Sequence, residues 1–568
     1  MPRTDSAPPC PERARRRRGR DVLDRLVPAG VGLAAGLLAL GPALGPGYVL
    51  RYDMVFVPDA PLTDAALGGG EGFPRAVPSD AVVALLGMAL PGDLVQKLLL
   101  LTVFTLGAAG AARLVPREWP LPRAAAALGY VWNPFLAERL LLGQWALLLG
   151  YAGLPWVLDA AARYRRTRDV PRLLASLLPA AVGGFSSAVL SGLVALPAAV
   201  VRRGRRAAAA AAAAGCLAVA ALPWLLPALA SGATTDPAAV DLFAARADTP
   251  LGTVASLLSL GGIWNAQAVP PGFAEPVGAA GRLLLSLAAL AGWGWLLARR
   301  PRPAHAAGLT VAAALGLAVA LAGTVEPGRA VLRALIGLWP GFGPLRDGHL
   351  YLAPLALLQA VGLAGAVRWL GRPAARRGSA APSRAAGALS GACALLAPLV
   401  LLPGLAWGAW GTLRPVEYPR EWTRVQQLVN TDPEEGALLS LPWSAYRGFP
   451  LGGGEVTVVL DPATKMFDRP VVWNDALRVR DGDRVRVVAG EDPLARRVAP
   501  LMGADAMPHG TADLAQRLAQ AGVRYVLVDR ANLPEGVGAD LAGPGLEAVH
   551  DGPLLLLLKV TEEYVAAA

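Results

Sequence analysis

Residues 13–54 read RARRRRGRDVLDRLVPAGVGLAAGLLALGPALGPGYVLRYDM. Six arginines fill the first eight of these positions, and no charged side chain then interrupts Leu26 to Leu50. A bilayer core of roughly 30 Å takes about 20 apolar residues of helix, so the uncharged stretch reads as a membrane span near 26–49. The basic flank resembles the front of a secretory signal. The apolar part is long, however, and no small-residue cleavage site follows it, so it is expected to stay as an uncleaved signal anchor. Directly beyond it stands Arg51-Tyr52-Asp53-Met54, opening a loop that also holds Asp59, Asp64, Glu71 and Asp80.

Ten further stretches carry the same signature, near 94–112, 124–137, 145–161, 173–185, 187–201, 207–230, 283–298, 307–323, 351–367 and 386–410. The expected fold is therefore a polytopic α-helical membrane protein of about eleven transmembrane helices, the short pairs 124–161 and 173–201 reading as hairpins. Composition agrees. Of 568 residues 54% are hydrophobic and 17% charged, against about a quarter charged in a soluble domain, and the mean hydropathy is +0.44. A purely soluble enzyme and a disordered chain are both excluded. Cys10 lies before the first span and Cys216 and Cys393 lie within spans, so no disulfide framework and no Cys/His zinc site is expected.

The net charge of +11 is unevenly spread: residues 1–410 carry 37 basic and 20 acidic side chains, residues 411–568 carry 16 and 22. A basic apolar part joined to an acidic polar part reads as membrane plus aqueous domain and excludes nucleic acid as partner. Arginines cluster at alternate ends of the spans, at Arg15–Arg18, Arg113/Arg117/Arg123, Arg163/Arg165/Arg166/Arg168, Arg202/Arg203/Arg205/Arg206, Arg299/Arg300/Arg302 and Arg372/Arg376/Arg377/Arg384. The asymmetry places the N-terminus inside the cell membrane and the C-terminal part outside. The expected organisation is a basic cytoplasmic tail 1–25, a membrane domain 26–410 with outer loops 50–93, 231–282 and 324–350, and an extracytoplasmic α/β domain 411–568. In the last, Ala437–Leu441, Val456–Leu460, Val471–Trp473, Arg484–Val488, Tyr525–Val528 and Leu554–Val560 read as strands and Thr511–Ala521 as a helix. Leu554–Leu558 is too short to span and reads as a buried strand.

Candidate chemistry sits at the outer ends of the spans. Asp53 stands a few residues beyond the first span, where a carboxylate can take a proton from a hydroxyl beside a lipid phosphate; set against this, a single acid in an acidic loop is ordinarily a solvated side chain. Asp59 and Asp64 are its alternates, as base or as metal ligands, with a divalent cation the one cofactor left open. The segment Pro344-Leu345-Arg346-Asp347-Gly348-His349-Leu350-Tyr351 enters the tenth span from outside. Arg346 there can hold a phosphate through two parallel hydrogen bonds and His349 can add a third donor, unless Arg346 and Asp347 merely anchor the helix at the interface. Lys97 is either a snorkelling lysine or a further phosphate ligand. Asn133-Pro134 breaks a span where the bend is buried or lines a cavity, and the neighbouring Glu138 and Arg139 are expected to pair with each other. No Walker A loop and no GxGxxG after a strand is present, and the cytoplasmic loops are too short to bind a nucleotide-activated donor. A donor handled at the outer face points to a lipid-linked one.

Four segments carry a family resemblance: the acid-bearing loop at Asp53; Leu90-Pro91-Gly92-Asp93-Leu94-Val95-Gln96-Lys97; Leu128-Gly129-Tyr130-Val131-Trp132-Asn133-Pro134-Phe135; and Leu149-Gly150-Tyr151-Ala152-Gly153-Leu154-Pro155-Trp156. Through them the first two hundred residues or so resemble a GT-C type membrane glycosyltransferase, and more narrowly the membrane region of the alpha-(1→3)-arabinofuranosyltransferase family of bacterial envelope synthesis, with Arg346–Tyr351 as a looser echo. The resemblance implies a polyprenyl-phosphate-linked sugar as donor, an envelope glycan or lipid hydroxyl as acceptor, and an acid of the first outer loop as general base, which falls on Asp53. Two other classes compete. A transporter or flippase of lipid-linked glycans calls for charged or broken helices at the midplane in two related halves. A non-catalytic envelope scaffold would use residues 411–568 to bind a partner and leave the acids inert.

Overall fold

The computed structural model describes residues 11–568 except 71, 202–205, 233–234, 372–383, 453, 482–483, 504, 509–512, 539–540, 542 and 567–568. Cys10 and the expected inner arginines Arg202, Arg203, Arg205, Arg372, Arg376 and Arg377 lie outside the described residues. Among the described residues seven helices are long and apolar enough to cross a membrane: Leu26–Leu44, Gly92–Arg113, Trp145–Thr167, Leu178–Val200, Arg206–Ala230, Pro276–Ala298 and Gly348–Leu370. Two bent pairs, Ala306–Ala322 with Glu326–Leu338 and Gly391–Leu401 with Pro403–Gly411, raise the number to as many as nine. Trp145–Thr167 and Gly348–Leu370 form the centre of the bundle, with 89% and 100% of their apolar windows buried in protein.

The expected eleven spans are not confirmed as a count, and among the described residues the difference from nine lies at two places. The stretch near 124–137 is not a single span: the helix Pro120–Val131 ends at Trp132, and a separate helix, Pro134–Leu141, begins after Asn133. Pro134 has no N–H to continue the first helix, while Asn133 accepts a hydrogen bond from the Leu136 N–H at 3.1 Å and so starts the second. The expected pair 173–185 and 187–201 is found as a short helix, Val170–Ser176, followed by Leu178–Val200, which is two helical pieces joined across a kink. Its only non-helical residue is Gly184 (φ 74°, ψ −150°), where a Cβ would meet the Val77 carbonyl oxygen at 2.8 Å.

The C-terminal part folds around a mixed five-stranded sheet in the spatial order Leu546–Asp551, Leu555–Val560, Val523–Asp529, Ala437–Leu441, Val471–Val472. The first three run antiparallel, and Ala437–Leu441 is parallel to both of its neighbours. The sheet is covered on both faces at its centre, which is why Ala437–Leu441, Val523–Asp529 and Leu555–Val560 are largely apolar runs. Leu556 and Leu558 pack with Leu514, Ala515 and Leu518 of the helix Leu514–Gln520. Leu555 and Leu557 face the other way, toward Trp422, Val425 and Val429 of the helix Arg420–Asn430. The five-leucine run is thus a two-sided strand, as its length required.

The second of these cores also contains Leu50, Val55 and Val57 from the segment that follows the first span. Backbone pairing reinforces the junction. Tyr48–Val49 forms a two-stranded ladder with Pro415–Val416, and Tyr52 bridges the strand Glu455–Leu460 through Tyr52 N–H to Val458 O (2.7 Å) and Leu460 N–H to Tyr52 O (2.9 Å). Thr457 Oγ1 donates to Leu50 O at 2.6 Å. The first loop therefore belongs as much to the sheet domain as to the span that precedes it.

Candidate functional site

Asp53 sits in a tight turn, Arg51–Met54, in which Tyr52 takes a positive φ of 43° and Met54 N–H returns to Arg51 O at 2.8 Å. The turn rests on the end of the helix Pro134–Leu141: Asp53 N–H donates to Leu142 O at 3.2 Å. This approach requires a glycine at 143, since a Cβ there would meet Arg51 O at 2.1 Å and Met54 N at 2.4 Å, and φ is +80°. The next residue, Gln144, donates from Nε2 to Asp53 Oδ2 at 3.1 Å and accepts from Arg139 Nη1 at 2.9 Å.

Arg139 is fully buried and holds Asp347 with both arms, at 2.5 and 2.9 Å, while its Nη2 lies 2.8 Å from His349 Nδ1. The His349 ring stacks on Phe135 with centroids 5.4 Å apart, and its Nε2 lies 3.1 Å from Glu138 Oε2. Sequence spacing paired Glu138 with Arg139, and Arg346 with Asp347. The fold exchanges the partners: Arg139 takes Asp347, and Arg346 turns to Glu491 of the sheet domain at 3.4 Å. The Arg346 guanidinium stacks over Phe243 at 4.7 Å, and Glu491 also pairs with Arg75 of the loop that follows the first span.

These placements set the electrostatics of the cluster. Asp53 is solvent-accessible but stands among densely packed protein. That crowding pushes its pKa above the usual carboxylate value, against the Gln144 hydrogen bond and the fields of Arg75, Arg139 and Lys465. Burial alone would raise Asp347 too, but the Arg139 fork holds its carboxyl below the usual value. Arg346 is lowered to about 10 by burial and by repulsion from Arg75, partly offset by Glu491 and Asp347.

Of the residues singled out by sequence, Asp53 and Arg346 belong to one polar cluster, linked through Arg75, Arg139 and Asp347. His349 is fully buried beneath it, with one ring nitrogen on Arg139 and the other toward Glu138. Lys97 belongs to a different cluster: its Nζ is 2.9 Å from Asp93 one helical turn earlier, and Asp93 and Asp59 both act on Tyr48. Asp59 and Asp64 are exposed, Asp64 opening a four-residue helix capped by Thr63. Among the described residues no three His, Cys, Asp or Glu side chains converge to hold a metal ion. Gln144, Arg75 and Glu491 were not foreseen. Gly143-Gln144 after a helix carried a local turn signal, whereas Arg75 and Glu491 become partners only through the docking of the sheet domain.

The fold is thus a helical bundle in which the loop after the first span is threaded into a sheet domain. Among solved structures the same fold is found in the arabinofuranosyltransferase AftD from Mycobacteria, determined by single-particle cryo-EM, with a TM-score of 0.56 and 18% identity over 94% of this chain. A point mutant of that protein matches with a TM-score of 0.54, again at 18% identity over 94%. This chain spans only 39% and 41% of those chains, about two fifths of their length. No family model matches, and no curated protein sequence is similar to it.

Proposed function

We propose that the protein is a membrane glycosyltransferase that moves a sugar, arabinofuranose by analogy with AftD, from a polyprenyl-phosphate donor to a hydroxyl of an envelope glycan or lipid. The N-terminus is cytoplasmic, and Asp53, Arg346 and residues 411–568 face outward. Asp53 takes the proton of the acceptor hydroxyl, and the acceptor oxygen bonds to the anomeric carbon. The bond from that carbon to the phosphate oxygen breaks, and polyprenyl phosphate leaves with the bonding electron pair, its charge met by Arg346. Gln144, fixed by Arg139, aims the Asp53 carboxylate, and Asp347 with His349 fixes Arg139. No step is assigned to Lys97, Asp59 or Asp64.

The observation that carries this reading is the Asp53–Gln144–Arg139–Asp347 chain, which holds an exposed carboxylate of raised pKa within the field of Arg75, the arginine that also acts on Arg346. The test is release of polyprenyl phosphate by the purified, reconstituted protein from a panel of polyprenyl-phosphate pentoses and hexoses. Turnover of one of them is expected. Neither binding nor turnover of any would favour the scaffold instead. Orientation is checked in a background lacking Cys10, Cys216 and Cys393: an impermeant thiol reagent added to intact cells should label Thr431→Cys and spare Thr167→Cys, and the reverse pattern would invert the topology.

A further inference from the structure

Arg75, in the loop that follows the first span, and Arg346, at the entrance to the helix Ala353–Leu370, converge on one carboxylate. Glu491 Oε1 lies 3.4 Å from Arg346 Nη1, while its Oε2 pairs with Arg75 Nη2. Glu491 is only 7% exposed, yet it is delivered from the sheet domain, on the loop that follows the hairpin Leu477–Asp481/Arg484–Val488. The hairpin docks through Leu477 and Val488 onto Ala239, Leu242 and Phe243, and Phe243 is the ring on which Arg346 stacks. The loop is shaped by Asp475, whose Oδ2 accepts the backbone N–H groups of Glu491 and Asp492 at 2.5 and 2.8 Å.

We propose that Arg75 and Arg346 together form one anion site for the phosphate of the lipid-linked donor, and that Glu491 is its built-in occupant, displaced when the phosphate enters. The inference rests on the reading of Arg346 as the donor-phosphate contact and adds Arg75 as its second arm. Two guanidinium groups that engage two oxygens of one carboxylate can present the same donors to two oxygens of a phosphate. Arg139, by contrast, is fully buried and has both Nη groups engaged by Asp347, Gln144 and His349. The contact between Glu491 and Arg346 is longer than a good charge-assisted hydrogen bond, so on that side the carboxylate is held loosely.

The charges give the exchange a direction. The donor phosphodiester carries one negative charge, as Glu491 does, whereas the monoester left after transfer carries close to two at neutral pH. The arginine pair therefore holds the phosphate most strongly as the sugar departs, which is the sense required for catalysis. Glu491, tethered beside the site, then competes for both arginines and promotes release of the product. Because Glu491 moves with its hairpin, filling the site loosens the contact of the sheet domain with residues 239–243.

The test uses the full-length protein in lipid nanodiscs, with farnesyl monophosphate as probe and farnesol as its uncharged control. Glu491→Gln removes the competing charge and should tighten farnesyl phosphate binding by about tenfold, the factor for an occupant that fills the site about nine-tenths of the time. Farnesol binding should not change, and adding either Arg75→Ala or Arg346→Ala should cancel the gain. In the wild type, farnesyl phosphate should speed amide hydrogen exchange across residues 484–492, a readout that needs no variant to fold. Equal or weaker binding by Glu491→Gln, or exchange at 484–492 that ignores the probe, overturns the displacement. If binding is then still lost in Arg346→Ala, the phosphate contact stands without the Glu491 device. Should Arg346→Ala bind as the wild type does, the phosphate contact fails and the device fails with it.

Discussion

Gln144 donates a hydrogen bond to the Asp53 carboxylate at 3.1 Å, and the orientation of its amide is fixed because the oxygen at its other end accepts from Arg139 at 2.9 Å. A general base is useful only while ionised, and crowding raises the pKa of Asp53 while Gln144 opposes that rise. Acidification should therefore abolish turnover along a limb of unit slope whose midpoint lies above the roughly 3.9 of an exposed aspartate. Gln144→Leu deletes the opposing hydrogen bond and should move that midpoint higher still. The pH–rate profiles of the two proteins check this, and identical midpoints would show that Gln144 does not act on the base.

Arg139 and Asp347 form a pair whose members support each other only together. Asp347→Ala leaves a fully buried guanidinium without its counter-charge, and losses of about 3–5 kcal/mol are usual for breaking such a pair. Thermal unfolding in detergent should fall sharply. Arg139→Lys keeps the charge but loses the two-armed geometry, and should cost activity more than stability. An Asp347→Ala protein as stable as the wild type would mean that the pair is not maintained in the membrane.

The broad architecture was legible because bilayer thickness and β-periodicity write directly into composition. The uncharged run 26–50 and the two-sided strand at Leu554–Leu558 each admitted one reading. The break at Asn133-Pro134 was legible as well, and the expected division of 173–201 falls within two residues of the kink at Gly184. What local pattern missed was produced at a distance. The strands Tyr446–Gly452, Leu477–Asp481 and Leu546–Asp551 escaped notice because each is half of a hairpin and weakly apolar on its own. In the site, Asp53 and Arg346 could be singled out by their position just outside spans. Their partners could not be, since Arg139 pairs across 208 residues and Arg346 across 145.

The sheet domain carries its own pH signature. Asp529 is nearly fully buried, and burial, opposed by Arg447 and Asn532, raises its pKa to about 6. Its protonated form is the stabilising one. The contribution is complete below about pH 4, fades as pH rises through 6, and amounts to about 3 kcal/mol over the two-unit shift. In Asp529→Asn that dependence disappears, so the difference in Tm between variant and wild type should change between pH 4 and pH 6.5 and stay level outside that window. A difference constant with pH would mean that Asp529 is ionised throughout.

The central claim is that Asp53 is the base, and Asp53→Asn addresses it most directly because it keeps shape and hydrogen bonding while removing the proton acceptor. Loss of a general base typically costs about 10² to 10⁴ in rate. With the polyprenyl-phosphate sugar that the wild type turns over, release of polyprenyl phosphate by Asp53→Asn should fall by that factor while donor binding persists. Arg346→Ala should instead lose donor binding. Wild-type turnover by Asp53→Asn in the same assay would contradict the assignment.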